Sequence, residues 1–362
     1  MRTTRSRFVA HLLHPLRAAL VFIAALLATS ALSAATPPPA SAQAQIDALT
    51  LAHSSVVGIR VTTAEDARSA ETLGRQRRGS GVLIGEDGLI LTIGYLLLEA
   101  EQIEIVTQDN KVLPARPVAY DLATGFGLLR PLLLLPPSSG MRAVPLGNTD
   151  ALSAGDALMV VTGDQRGEPG DINMTQLVSK RKFSGNWEYH IDTALFTSPP
   201  VTASGGNHSG APLFNQQGEL IGIGSLRVSD AGGTNKGDMP GNMFVPVDLL
   251  RPILAEMQQS GSSGKSRRPW LGLTSNDQNG RVQIVRVSKD SPAQVAGMRA
   301  GDVVLAVDDA KVATLEDFYK KIWNRAAPDS EITLKIQQGD EVKTLVLKAQ
   351  DRMQSLKKPS GI

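Results

Sequence analysis

The 362-residue chain has no cysteine and five histidines, so any covalent or acid-base chemistry must come from alcohols, imidazoles, carboxylates and amines. The missing thiols exclude a disulfide framework, thiol catalysis, iron-sulfur clusters and Cys-ligated zinc. No phosphate-cradling glycine loop and no metal-ligand constellation stands out, and no cofactor is implied. Alcohol chemistry is left. A serine becomes nucleophilic when an imidazole takes its proton, an acid fixes that imidazole, and backbone donors face the oxyanion. His11 and His14 fall in the leading segment, which leaves His53, His190 and His208. His208 precedes Ser209, but adjacent side chains on a turn diverge, so the pair is not by itself a dyad. His190 precedes a strand-like stretch at 191–193, and His53 lies near the first strand. A serine-lysine arrangement through Lys180 or Lys182 has less support, because Lys180, Arg181 and Lys182 together read as a solvated loop. The triplets at 173–175 and 207–209 fit the glycosylation pattern, which many unmodified loops also carry.

The elements that must position such groups begin after a leader. Residues 1–44 read as an export signal: Arg2, Arg5, Arg7 and Arg17, an apolar run over 18–35, then small residues with Ala40, Ala42 and Ala44 at A-x-A spacing. An uncleaved membrane anchor is the alternative, since the run is just long enough to span. Without the leader 33 Lys and Arg face 35 Asp and Glu, a net charge of −2. The apparent basicity belongs to the leader and points to no acidic partner. Aromatics at 4% and balanced charge speak against a nucleic-acid binder and against a disordered chain.

From 45 to 258 short β-branched or alternating runs recur between Gly, Pro, Asn and Asp, at 55–61, 81–84, 89–92, 102–107, 157–162 and 219–223. That rhythm predicts an antiparallel sandwich or barrel, closed by one helix over 246–257. Residues 259–268, rich in Ser, Gly and basic side chains, read as a flexible, solvated linker. Residues 269–350 carry strands at 282–287, 303–307, 332–336 and 342–347. A helix starts at Thr314 and places Leu315, Phe318 and Ile322 on one face, which makes a small α+β module. Residues 351–362 read as a disordered tail.

Four blocks in the first domain resemble the HtrA (DegP-like) family of trypsin-fold serine proteases. Gly-Ser-Gly-Val-Leu-Ile at 79–84 and Asp-Gly-Leu-Ile-Leu-Thr at 87–92 are similar to the approach to that family's catalytic histidine. The stretch Asp-Leu-Ala-Thr-Gly-Phe-Gly-Leu-Leu at 121–129 resembles the segment of its aspartate, and 154–161 the strand opening its second barrel. Asn-His-Ser-Gly-Ala-Pro-Leu-Phe-Asn at 207–215, followed by 218–223, resembles the nucleophile loop. In the second domain 268–273, 291–293 and 301–304 look like a PDZ module. The resemblance covers about 79–350 and implies a mainly β protein, a trypsin-like double β-barrel followed by a PDZ domain.

The resemblance places Ser209 at the nucleophile position, Tyr95 at the histidine position and Gly125 at the aspartate position. A phenol with a pKa near 10 is a poor base at neutral pH, and glycine has no side chain to orient one. The oxyanion turn is Asn207, His208, Ser209, with Asn207 where the family has glycine. Losing triad members costs on the order of 10⁶ in kcat. In the PDZ module Trp270, Leu271, Gly272 and Leu273 form a short apolar turn whose consecutive N–H groups can hold a terminal carboxylate while the peptide adds as a strand. The reading is of a periplasmic pseudoprotease that binds unfolded or C-terminal peptides. It has no nucleic-acid partner, and it forms a homo-oligomer or associates with an active protease. The alternative is an active serine endopeptidase of periplasmic quality control that uses Ser209 with an unrecognised base. A purely structural envelope role is a third reading.

Overall fold

In the computed structural model, residues 42–135, 140–163, 170–201, 207–233, 239–325 and 327–356 are described. The leader up to residue 41 lies outside them, and among the described residues no helix is long and apolar enough to cross a membrane. A helix α1 (Ala42–Ser54) enters the first barrel, built from β1 (Val56–Thr63), β2 (Gln76–Leu83), β3 (Ile90–Ile93), β4 (Ala100–Val106), β5 (Val112–Tyr120) and β6 (Phe126–Pro131), with a one-turn helix α2 (Ala70–Leu73) between β1 and β2. These strands close in the order β1-β2-β3-β6-β5-β4. The second barrel holds β7 (Ala157–Val161), β8 (Ile172–Gly185), β9 (Tyr189–Ser198), β10 (Pro212–Phe214), β11 (Leu220–Val228) and β12 (Gly241–Pro246), closed as β10-β11-β12-β9-β8-β7. Closure removes the free edges that would otherwise invite pairing with another chain. Inward residues such as Ile59, Ile90, Leu91, Ile105 and Leu128 fill the first core, and Leu158, Val160, Leu195, Leu213 and Phe244 fill part of the second.

Three local expectations are corrected, two of them where the barrels hand over to the second domain. The single helix over 246–257 is instead a 3-10 turn at Val247–Leu249 and a short α3 (Leu254–Ser260), both following Pro246, which ends β12 in an extended conformation. The linker is solvated only in part: Gln259, Ser260, Gly264, Lys265 and Arg267 are exposed, but Ser263 and Ser266 are buried, and both donate to the buried Asp121 carboxylate. Burial alone would raise that carboxyl, but hydrogen bonds from Ser263, Ser266 and Thr124 outweigh it and hold it below the usual range. Nor does the tail begin as disorder. A short β20 (Gln350–Asp351) pairs with β13 (Pro269–Trp270), and a last helical turn at Arg352–Ser355 starts where Asp351 accepts from Met353 N.

The second domain is a sheet ordered β14 (Leu273–Gln278), β15 (Arg281–Val287), β16 (Val303–Val307), β18 (Glu331–Gln338), β19 (Glu341–Lys348), with β17 (Ala310–Lys311) paired to β16. Helix α4 (Pro292–Val295) begins where the Ser291 side chain accepts from Gln294 N. Helix α5 (Leu315–Trp323) starts where Thr314 accepts a hydrogen bond from Asp317 N, and it buries Leu315, Phe318, Tyr319 and Ile322. The barrels and the second-domain strands match the mainly β expectation.

Candidate active site and peptide loop

Ser209 sits in the turn between β9 and β10, held between the first barrel, through β2, and the second, through β11. Ser80 N donates to Ser209 O at 2.8 Å, and Gly210 N donates to Gly224 O at 2.8 Å. Gly210 has φ +74, and a Cβ there would collide with the Ser80 carbonyl, so only glycine fits this turn. Tyr95 comes from the 3-10 turn Gly94–Leu96 after β3. Arg77, buried on β2, fixes that turn by donating to Tyr95 O at 2.9 Å and Leu98 O at 2.8 Å.

These elements bring Tyr95 Oη to 2.6 Å from Ser209 Oγ and 3.0 Å from Ser225 O. The phenol has one proton, and a carbonyl can only accept. When Tyr95 donates to Ser225, its oxygen is left to accept from Ser209, so the serine keeps its own proton. Burial pushes the Tyr95 phenol up to about 12, with the Ser209 contact opposing, so no phenolate is available to act as base near neutral pH.

Gly125, at φ +84, anchors the same turn through its backbone, with Gly94 N donating to Gly125 O at 2.7 Å. Where a side chain would start, a Cβ would lie 3.4 Å from Tyr189 Oη. That phenol is committed, donating to Thr124 O at 2.6 Å. Asn207 Oδ1 accepts from Ser209 N at 3.0 Å, and its Nδ2 donates to Arg78 O. The backbone donor an oxyanion would need is thus satisfied by a side chain.

The other candidate bases lie elsewhere. Val201 N donates to Asn242 Oδ1 at 2.7 Å, so Asn242 presents its Nδ2 to His208 Nε2 at 3.0 Å. His208 Nε2 must accept and the ring is neutral. Burial lowers its pKa to about 4. His190 pairs with Ser184, Asp192 and Glu316. Lys180 donates to Thr149 O and Leu152 O, and Lys182 pairs with Glu316. His190, Asp192 and Glu316 offer ligand atoms within 4.8 Å of one another, but Lys182 and Lys320 already neutralise the two carboxylates.

The peptide loop shows what residue types alone do not. The N–H groups of Leu271, Gly272 and Leu273 converge on one carboxylate, at 3.1, 2.8 and 2.8 Å, and it belongs to Glu188. Gly272 has φ +82, and a Cβ there would strike Ser291. Trp270 is half-buried beside this turn and faces Arg352, 5.9 Å from ring centre to guanidinium. Burial pushes the Glu188 carboxyl up, opposed by the three amides and by Arg352. Nothing in the sequence singles out Glu188 beyond its being an acid between Trp187 and Tyr189 in a hairpin tip.

Two family models match the chain: a trypsin-like peptidase domain over residues 79–223 and a PDZ domain over residues 269–349. The chain therefore carries a trypsin-like peptidase domain followed by a C-terminal PDZ domain, and it is similar to HtrA-type proteins. It is 27% identical over 288 residues to a probable periplasmic serine endoprotease, DegP-like, of Pseudomonas fulva, covering 75% of this chain and 56% of that protein. The protein of the same description from Hahella chejuensis is 24% identical over 284 residues, with the same coverage. The chain spans about half the length of the curated relatives it matches. Among solved structures it resembles the HtrA-type protease AlgW with tripeptide, at TM-score 0.51 and 20% identity, covering 87% of this chain and 98% of that one. The serine endoprotease from Yersinia pestis gives TM-score 0.50 at 20% identity, covering 84% and 97%.

Proposed function

We propose that this chain is an exported pseudoprotease: an HtrA-like protein that has lost proteolysis and binds unfolded or C-terminal peptides through its PDZ domain. The observation that carries this is the Tyr95 phenol, rather than an imidazole, on the Ser209 hydroxyl. The Asn207 side chain on Ser209 N and the glycine at 125 add to it. A periplasmic location is supported by the names of the relatives, and peptide binding by the PDZ match. Self-association, or association with an active protease, belongs to the same proposal.

The deciding experiment combines fluorophosphonate labelling with casein hydrolysis on the chain from residue 45. No label on Ser209 and no turnover above a Ser209→Ala control is the expected result. Labelling together with Ser209-dependent hydrolysis overturns it in favour of an active endopeptidase.

A further inference from the structure

The 185–188 tip of the β8–β9 hairpin lies in the second domain as a bound peptide would. Its carboxylate, from Glu188, takes all three amides of the Leu271 to Leu273 turn. Its main chain then runs beside β14, where Ser275 N donates to Asn186 O at 2.8 Å, a bond of the kind a strand added to the sheet edge makes. From the opposite wall of the cleft, Tyr319 Oη on α5 donates to Gly185 O at 2.9 Å. A cavity of about 310 Å³ lies against the tip, lined by Gly185, Asn186 and Trp187 and by Asn276, Gln278 and Leu315 of the second domain.

Glu188 is buried, with 3% of its surface exposed and a left-handed φ of +59. A buried acid in that backbone region is costly unless its partners compensate. Here the partners are the same backbone donors that would receive a chain end. We propose that the PDZ cleft is a carboxylate-exchange site whose resident ligand is the hairpin tip of the peptidase domain, and that free protein C-termini enter only by replacing Glu188.

This rests on the peptide-binding reading above and adds the ligand's required chemistry. An incoming chain end must offer a carboxylate, because otherwise three buried amides are left without an acceptor. A terminal amide or an internal loop without an acid cannot restore the lost bonds. Tethering gives the tip an effective concentration on the order of millimolar, so it blocks weak ligands and admits strong ones.

The test is fluorescence anisotropy on the full chain from residue 45, with a fluorescein-labelled peptide pool randomised over its last four residues and a C-terminally amidated twin pool. Glu188→Gln keeps the side-chain shape but removes the charge, and it should tighten binding of the free-acid pool by about tenfold while the amidated pool binds neither protein. Tyr319→Phe, which loosens the tip without touching the amide turn, should give a smaller gain in the same direction. In parallel, hydrogen exchange at the Leu271, Gly272 and Leu273 amides should accelerate in Glu188→Gln while the barrel amides keep their protection. Equal affinity of wild type and both variants for the free-acid pool overturns the exchange site and leaves peptide binding standing. Equal binding of the amidated pool overturns the exchange site in the same way. No binding of either pool by any of the three proteins overturns both.

Discussion

A single residue type decides the chemistry at the candidate active site. Tyr95 occupies the spot beside Ser209 and forms the hydrogen bond an imidazole would form, but with its proton affinity on the wrong side of neutrality. Under the proposed pseudoprotease reading the serine is positioned and not activated. His208, one residue away, is a buried neutral ring held by Asn242, and this has a thermodynamic consequence. Its pKa is lowered from 6.5 to about 4, so the unfolded chain takes up a proton there that the folded chain refuses. The contribution is fully present above about pH 6.5 and is lost as pH falls towards 4, amounting to about 3 kcal/mol. Urea unfolding of wild type and His208→Asn at pH 7 and pH 4.5 checks this. The stability gap between the two proteins should shrink at the lower pH, and a gap independent of pH would refute the buried neutral ring.

At the scale of elements, the turns that carry Ser209, Tyr95 and residue 125 all fall within the part of the chain that matches a trypsin-like peptidase domain. Gly125 has φ +84, so an aspartate there carries about 1–2 kcal/mol of backbone strain and starts against the Tyr189 ring. We expect Gly125→Asp to lower unfolding free energy by that amount. Tyr95→His with Gly125→Asp should stay inactive on casein until Asn207→Gly also frees Ser209 N. Hydrolysis by the double variant alone would show that Asn207 is no obstacle. The linker makes a comparable point. Ser263→Ala combined with Ser266→Ala removes two linker donors to the buried Asp121 carboxylate and should cost about 3 kcal/mol in a urea titration, whereas a solvated linker would make it nearly silent. Barrel strands and α5 are legible because alternation and capping are local properties of sequence. The linker is not, because Ser and Gly look alike whether water or a buried carboxylate takes their hydrogen bonds. Glu188 is illegible for a related reason: its partners are backbone amides 83 to 85 residues away, which leave no trace in residue type.

Across the whole molecule, the peptidase and PDZ domains meet, beside the hydrogen bonds of the 185–188 tip, through side-chain contacts of two further kinds, and their energies differ. Lys182 with Glu316 and Lys320 with Asp192 are ion pairs whose lysines are at least half exposed, so solvent screens both and salt weakens them further. Arg268 is buried, lies 3.7 Å over the Trp323 ring, and donates at 3.3 Å to both Leu122 O and Glu188 O. Burial lowers its pKa only to about 10, so it stays charged at neutral pH. One side chain thus joins the first barrel, the hairpin tip and α5, and its loss should cost about 3 kcal/mol of docking free energy. Calorimetry distinguishes the two kinds of contact. Neither 1 M salt nor Lys182→Ala combined with Lys320→Ala should split the unfolding transition. Arg268→Ala should split it, because a PDZ domain released from the barrels unfolds on its own account. If Arg268→Ala still melts in one transition while the lysine variant melts in two, the exposed ion pairs and not the buried arginine hold the domains together.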